Sequence, residues 1–149
     1  MARHPVQVAV AILHQDGQYL MQLRDDTPGI LYPKCWAFFG GHLEGTEDPE
    51  TGLRRELMEE IGYAPPEVTL FRQWGDEQVH RFVYHGPLTV PLEALQLNEG
   101  WDLGLLSPED IRRGDRYSAV AQQTCSLGEV HQKLLLDFLE IHPHLGIPT

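Results

Sequence analysis

Cysteine is scarce in this 149-residue chain: Cys35 and Cys125 are the two it has, and neither has another thiol near it in sequence. That excludes a disulfide framework and a CxxC zinc site, and both read as buried or idle thiols. Long apolar runs are lacking too. None approaches the roughly 20 residues that span a bilayer. The opening residues, MARHPVQVAVAILHQDG, lack the signal-peptide order of basic start, long apolar stretch and small-residue cleavage site, because their apolar residues soon alternate and meet a turn. Cytoplasmic residence without membrane contact is the expectation. Positive charge is in short supply as well, with 11 Lys+Arg against 22 Asp+Glu and a formal net charge of -11. Such a chain repels a nucleic-acid duplex and an anionic membrane, so no nucleic-acid partner is expected. It also repels polyphosphate, and a phosphorylated substrate would need metal ions and a few placed cations. Most surface acids read as serving solubility. No repeat, low-complexity segment or linker interrupts the sequence, and 42% hydrophobic residues is ordinary for a globular protein. One domain over 1–149 follows.

The apolar pattern predicts a strand over Val6 to Leu13, an Asp16-Gly17 turn, and a second strand over Gln18 to Arg24. Asp25 to Pro33 reads as a loop. Cys35 to Phe39 reads as a short strand stopped by Gly40-Gly41. A helix then opens at Thr46-Glu47-Asp48-Pro49, with Asp48 as cap and Pro49 at the first position, and closes at Gly62. Strands are predicted at Val68 to Trp74 and Val79 to Tyr84, with an irregular segment near Leu88 to Leu97. Ser107 to Asp110 caps a short helix. A last amphipathic helix covers Glu129 to Ile141, with Val130, Leu134, Leu135, Phe138 and Leu139 on its apolar face. Strands before and after a central helix, with another helix at the end, indicate an α/β protein with helices packed on a mixed sheet.

The central helix carries the strongest chemical signal. Glu56, Glu59 and Glu60 stand three and four residues apart, on one helix face. Adjacent carboxylates repel, so the cluster calls for a cation, and a divalent metal is the obvious candidate. With Glu56 at 0°, Glu59 falls at about -60° and Glu60 at about 40°, while Leu53, Leu57 and Ile61 lie between about 60° and 140°. One stripe packs and the neighbouring stripe carries acid. Gly52 falls inside the acidic stripe, where it leaves room either for metal or phosphate or for close helix-sheet contact.

Gly41, Glu47, Arg55, Glu56, Leu57, Glu59, Glu60, Gly62 and Tyr63 together resemble the signature of the Nudix hydrolase family. Tyr63 departs from it, since an aliphatic residue is usual there. The resemblance extends to Trp36-Ala37-Phe38-Phe39-Gly40-Gly41-His42-Leu43-Glu44, with Phe39 in place of the usual proline. It implies a Nudix-type α/β/α sandwich with a mixed sheet between helices. It further implies hydrolysis of a nucleoside diphosphate linked to another moiety, with Mg²⁺ or, as substitute, Mn²⁺ as cofactor. By matching positions, Glu56, Glu59, Glu60 and the Gly41 carbonyl are the implied metal ligands. Glu56 or a downstream glutamate would take the proton of the attacking water, Arg55 would orient Glu56, and Glu47 would hold Arg55. Family members are often dimers, so a homodimer is an implied assembly, with no interface legible in the sequence.

The rest of the substrate must be read by other segments. Arg24 resembles the position that contacts phosphate in mutator T-type members, against the bland reading of a surface arginine. Glu99, beside Gly100, lies where several members place an extra metal-binding or base glutamate. Gly40, next to the box, joins Arg24 and Trp36 as a substrate-contact candidate, although Trp36, like Phe39 and Trp101, reads equally as core. The eight histidines show no paired ligand spacing. Gln78 to Arg81 lack the proline of the family's ADP-ribose class and the tyrosine of its dinucleoside polyphosphate class. By elimination the expected substrate is a (deoxy)nucleoside triphosphate, cleaved to monophosphate and pyrophosphate. A nucleotide-sugar or ADP-ribose-type pyrophosphatase is the alternative, and a non-catalytic nucleotide-sensing module is the alternative of another class.

Overall fold

A computed structural model of the chain describes residues 6–25 and 33–143. In chain order the elements are β1 (Val6–Gln15), β2 (Gln18–Leu23), β3 (Trp36–Ala37), β4 (Phe39–His42), α1 (Pro49–Ile61), β5 (Thr69–Gly75), β6 (Val79–Pro87), a 3-10 turn (Leu92–Ala94), β7 (Asp102–Leu106), α2 (Pro108–Arg113), β8 (Asp115–Ser118), β9 (Gln123–Ser126) and α3 (Glu129–Ile141). The predicted loop over Asp25 to Pro33 falls mostly on 26–32, outside the described residues. No described helix is long and apolar enough to cross a membrane. The described residues form two compact units interleaved in sequence, one of residues 6–13 and 39–98, the other of 14–25, 33–38 and 99–143.

In the first unit β1 pairs antiparallel with β4, from Val8 opposite His42 to Ala11 opposite Phe39. β6 runs beside β1 and carries β5 antiparallel on its other side, with an irregularity between Leu70 and Arg72. The strand predicted to stop at Gly40-Gly41 instead runs through both glycines to His42. The reason is local: a Cβ at Gly40, whose φ is +140°, would lie 2.1 Å from the Ala9 carbonyl oxygen across the ladder. Glycine here permits the pairing where a larger residue would end it. α1 forms where its caps predict. Asp48 accepts from the Thr51 N–H at 3.3 Å, Pro49 opens the first turn, and Gly62 ends the helix at φ 66° with its N–H on the Met58 carbonyl. Leu53, Leu57 and Ile61 are wholly buried, each contributing about 1.5–3 kcal/mol by removal from water.

In the second unit β2 pairs antiparallel with β7, from Tyr19 opposite Leu106 to Leu23 opposite Asp102, and with β3. The Asp16-Gly17 turn before β2 has φ of 51° and 77°, the left-handed pair of a two-residue hairpin turn. Strand pairing breaks at Phe38, and side chains replace the ladder there. Its N–H donates to His131 Nδ1 at 3.4 Å, and its carbonyl accepts from Gln22 Nε2 at 3.1 Å. On α3 the buried positions are His131, Leu134, Leu135, Phe138 and Leu139. His131 thus takes the place expected for Val130, because its ring packs edge-on against Phe38 as well as accepting that bond. Ser107 and Asp110 form a reciprocal capping box on α2. β7 and the polar hairpin β8–β9 have no counterpart among the sequence expectations.

Candidate active site

The acidic stripe of α1 is graded in burial by its angle to the apolar stripe. Glu60, closest to it, is 5% exposed, Glu56 is half-buried, and Glu59 is exposed. Burial of a carboxylate requires partners, and Glu60 accepts from the Gly40 N–H at 3.1 Å. Gly40, a candidate for substrate contact, thus directs its backbone donor at Glu60. Its neighbour Gly41 sets the position of Glu56. A Cβ at Gly41 would lie 2.6 Å from the Glu56 carboxyl carbon, so the carboxylate rests on bare backbone.

Arg55 is the hub. Its Nε and Nη2 fork onto Glu47 at 2.9 and 3.1 Å. Nη1 donates to Glu56 at 3.1 Å and reaches Glu59 at 3.3 Å. Glu44 lies 3.6 Å away, and Nη2 also donates to the His42 carbonyl. Glu47 also accepts from the Glu44 N–H at 2.9 Å. Hydrogen bonding from Arg55, then from Glu44, pulls the Glu47 carboxyl down to about 2. The same bond to Glu47 raises the Arg55 guanidinium above its ordinary value, so it stays charged. Four carboxylates, those of Glu44, Glu47, Glu56 and Glu59, gather on this one guanidinium.

The glycine in the stripe serves packing. A Cβ at Gly52 would meet Leu43 Cδ2 at 2.4 Å and Glu47 Oε1 at 2.7 Å. Its space holds Leu43 and the carboxylate that holds Arg55, which decides for close contact over room for metal or phosphate.

Among the described residues no group of three or more His, Cys, Asp or Glu side chains is placed, as it stands, to hold a metal ion. The donor chemistry, hard carboxylate oxygens on one helix face, suits Mg²⁺, which keeps waters and substrate phosphates in its shell and seldom takes an all-protein cage. Glu56, Glu59, Glu60 and the Gly41 carbonyl belong to the first unit and lie on α1 and β4.

Arg24, Trp36 and Glu99 belong to the second unit. Trp36 is 1% exposed and its indole N–H donates to the Arg116 carbonyl at 3.1 Å, so its ring is core and its faces are closed to a base. Arg24 is half-buried, and its Nε is buried without a hydrogen-bond partner among the described residues. Glu99 is exposed in the loop before β7, where Gly100 has φ 98°. Two contacts lie outside the candidates read from the sequence: the His42 carbonyl, which accepts from Arg55, and Asn98, whose Nδ2 donates to the Glu59 carbonyl at 2.8 Å. Asn98 stands directly before Glu99, and that adjacency was the available signal.

Residues 3–124 match the NUDIX domain family, and the chain belongs to that family. A stretch of 55 residues is 38% identical to the nucleoside triphosphatase NudI of Escherichia coli O139:H28, covering 37% of this chain and 38% of that relative's length. Among solved structures, the fold is shared with MutT from Aliivibrio salmonicida and Vibrio cholerae at TM-score 0.70 and 19% identity, covering 92% of this chain and 98% of that one. The E. coli ORF135 protein matches at TM-score 0.68 and 25% identity, over 95% and 93%. The NUDIX domain of Shewanella oneidensis NrtR, solved with ADP ribose, matches at 0.71 and 17%, over 93% and 89%. These likenesses agree with the expected Nudix α/β fold, a mixed sheet with helices.

Proposed function

We propose that this chain is a Nudix pyrophosphohydrolase that cleaves a (deoxy)nucleoside triphosphate to monophosphate and pyrophosphate. The observation that carries the reading is the Arg55 hub: a guanidinium locked on Glu47 presents Glu56 and Glu59 beside the buried Glu60. Glu56, Glu59, Glu60 and the Gly41 carbonyl would hold Mg²⁺, with Mn²⁺ as substitute. The metal, when bound, neutralises phosphate charge and lowers the pKa of a coordinated water. Glu56 takes the proton of the attacking water on a carboxylate oxygen, with Glu99 as the second candidate for that role. The water oxygen bonds to phosphorus as the bridging P–O bond breaks, and pyrophosphate leaves with the bridging oxygen. Arg55 holds the Glu56 carboxylate through one Nη1 bond, and Gly41 gives it a backbone floor. Arg24, whose Nε has no partner among the described residues, is the proposed phosphate contact. The nucleoside triphosphatase named among the relatives supports the substrate class. Cytoplasmic residence as a homodimer, acting on small nucleotides and not on nucleic acid, completes the reading.

The test is a pyrophosphate- and phosphate-release screen across nucleoside triphosphates, nucleotide sugars, ADP-ribose and dinucleotides, with Mg²⁺ and with Mn²⁺. Fastest turnover of one or more triphosphates is expected. Preference for ADP-ribose or a sugar nucleotide would move the substrate, and nucleotide binding with no turnover at all would make the chain a sensing module.

A further inference from the structure

A helix leaves its last four carbonyls without partners inside the helix. In α1 these belong to Met58, Glu59, Glu60 and Ile61, and all four are satisfied. Gly62 N–H serves Met58. The other three are met by a segment more than thirty residues further along the chain: Gln96 N–H donates to Ile61 at 3.0 Å, Asn98 N–H to Glu60 at 2.9 Å, and Asn98 Nδ2 to Glu59 at 2.8 Å. One residue therefore holds the backbone of two of the candidate ligands. Terminal turns otherwise fray, and fraying here would carry Glu59 and Glu60 with it.

We propose that Asn98 is a positioning residue for the metal-binding acids, fixing the last turn of α1 through the carbonyls of Glu59 and Glu60. The inference rests on the reading of α1 as the metal-binding helix. Asn98 is exposed and its amide is not needed to fill the core. Glu60 is then tethered at both ends, its carbonyl by Asn98 and its carboxylate by the Gly40 N–H. The donors also sit at the negative end of the helix dipole, next to carboxylates, where two N–H groups offset unfavourable charge.

The experiment measures Mn²⁺ affinity by calorimetry without nucleotide, alongside melting midpoint and turnover, for the parent, Asn98→Ala and Asp48→Ala. Asp48 caps the opposite end of α1 and is the control for lost capping as such. The expected result is Mn²⁺ affinity weakened about three- to tenfold in Asn98→Ala, the scale of one hydrogen bond, and unchanged in Asp48→Ala. The Mn²⁺ concentration for half-maximal turnover should rise by the same factor. Asn98→Gln, which keeps an amide donor, should recover part of the loss. Asn98→Ser carries the same test should the alanine variant not fold. Equal Mn²⁺ affinity in all folded variants, with normal parent turnover, would reduce Asn98 to an ordinary cap and leave the proposed function standing. A parent that neither binds Mn²⁺ nor turns over any nucleotide would overturn both.

Discussion

Arg55 and Glu47 form a two-pronged ion pair, Nε to Oε2 at 2.9 Å and Nη2 to Oε1 at 3.1 Å. Two parallel bonds fix the plane of the guanidinium as well as its position. Nη1 is thereby turned toward Glu56 and Glu59. Lysine has one point charge and no fork. Arg55→Lys is expected to keep the fold, lower the melting midpoint, and reduce turnover at least about tenfold, as one misplaced catalytic group does. Parent-like kcat and KM with Mg²⁺ would separate Arg55 from the chemistry.

The acid limb of stability should report the same pair. The folded-state value of Glu47 lies at about 2, below its ordinary 4.5. A depressed carboxylate stabilises the fold fully above the unfolded value, and that contribution is lost as pH falls toward the folded one. The stability difference between parent and Glu47→Gln should therefore be flat above about pH 5 and shrink between about pH 4.5 and pH 2. Denaturant titrations across that window measure it, and a difference that grows on acidification would contradict the assignment.

Glu56→Gln removes the proposed base while preserving shape. Turnover should drop on the order of 10²- to 10⁴-fold with a melting midpoint close to the parent's. An undiminished rate would transfer the role of base to another residue, with Glu99 the next to replace.

The two neighbouring glycines should fail differently. Gly41→Ala pushes its Cβ against the Glu56 carboxylate, so turnover falls while the fold survives. Gly40→Ala drives its Cβ into the Ala9 carbonyl from a left-handed φ of 140°, so the β1–β4 pairing itself is lost. Melting curves and turnover of the two variants, compared side by side, distinguish a displaced carboxylate from a broken sheet.

Tyr19 offers a test away from the site. Its hydroxyl is buried without a hydrogen-bond partner among the described residues, and burial pushes the phenol up to about 12. Tyr19→Phe removes a desolvated polar atom with no partner to orphan, so stability should hold or rise by up to about 1 kcal/mol. A clear loss in denaturant titration would mean that the hydroxyl has a bonded water.

α1 was legible from end to end because its determinants are local. Asp48, Pro49 and Gly62 act on the turns they touch, and the three-and-four spacing of Leu53, Leu57 and Ile61 sets the buried face without reference to any partner. α3 follows the same rule except at His131, where burial depends on Phe38, ninety-three residues away. β7 and the β8–β9 hairpin escaped because short, polar or glycine-containing strands are defined by the neighbour they pair with. By itself the sequence determined the acidic helix, since residue types at helical spacing suffice for that, and the resemblance of its residues to a known signature pointed to the family. Tertiary structure alone decided what holds those acids: the fork on Glu47, the bare backbone of Gly41 under Glu56, the Gly40 donor to Glu60, and the grip of Asn98 on the helix end. Each is a contact between segments distant in the chain, and its geometry exists only once the backbone has folded back on itself.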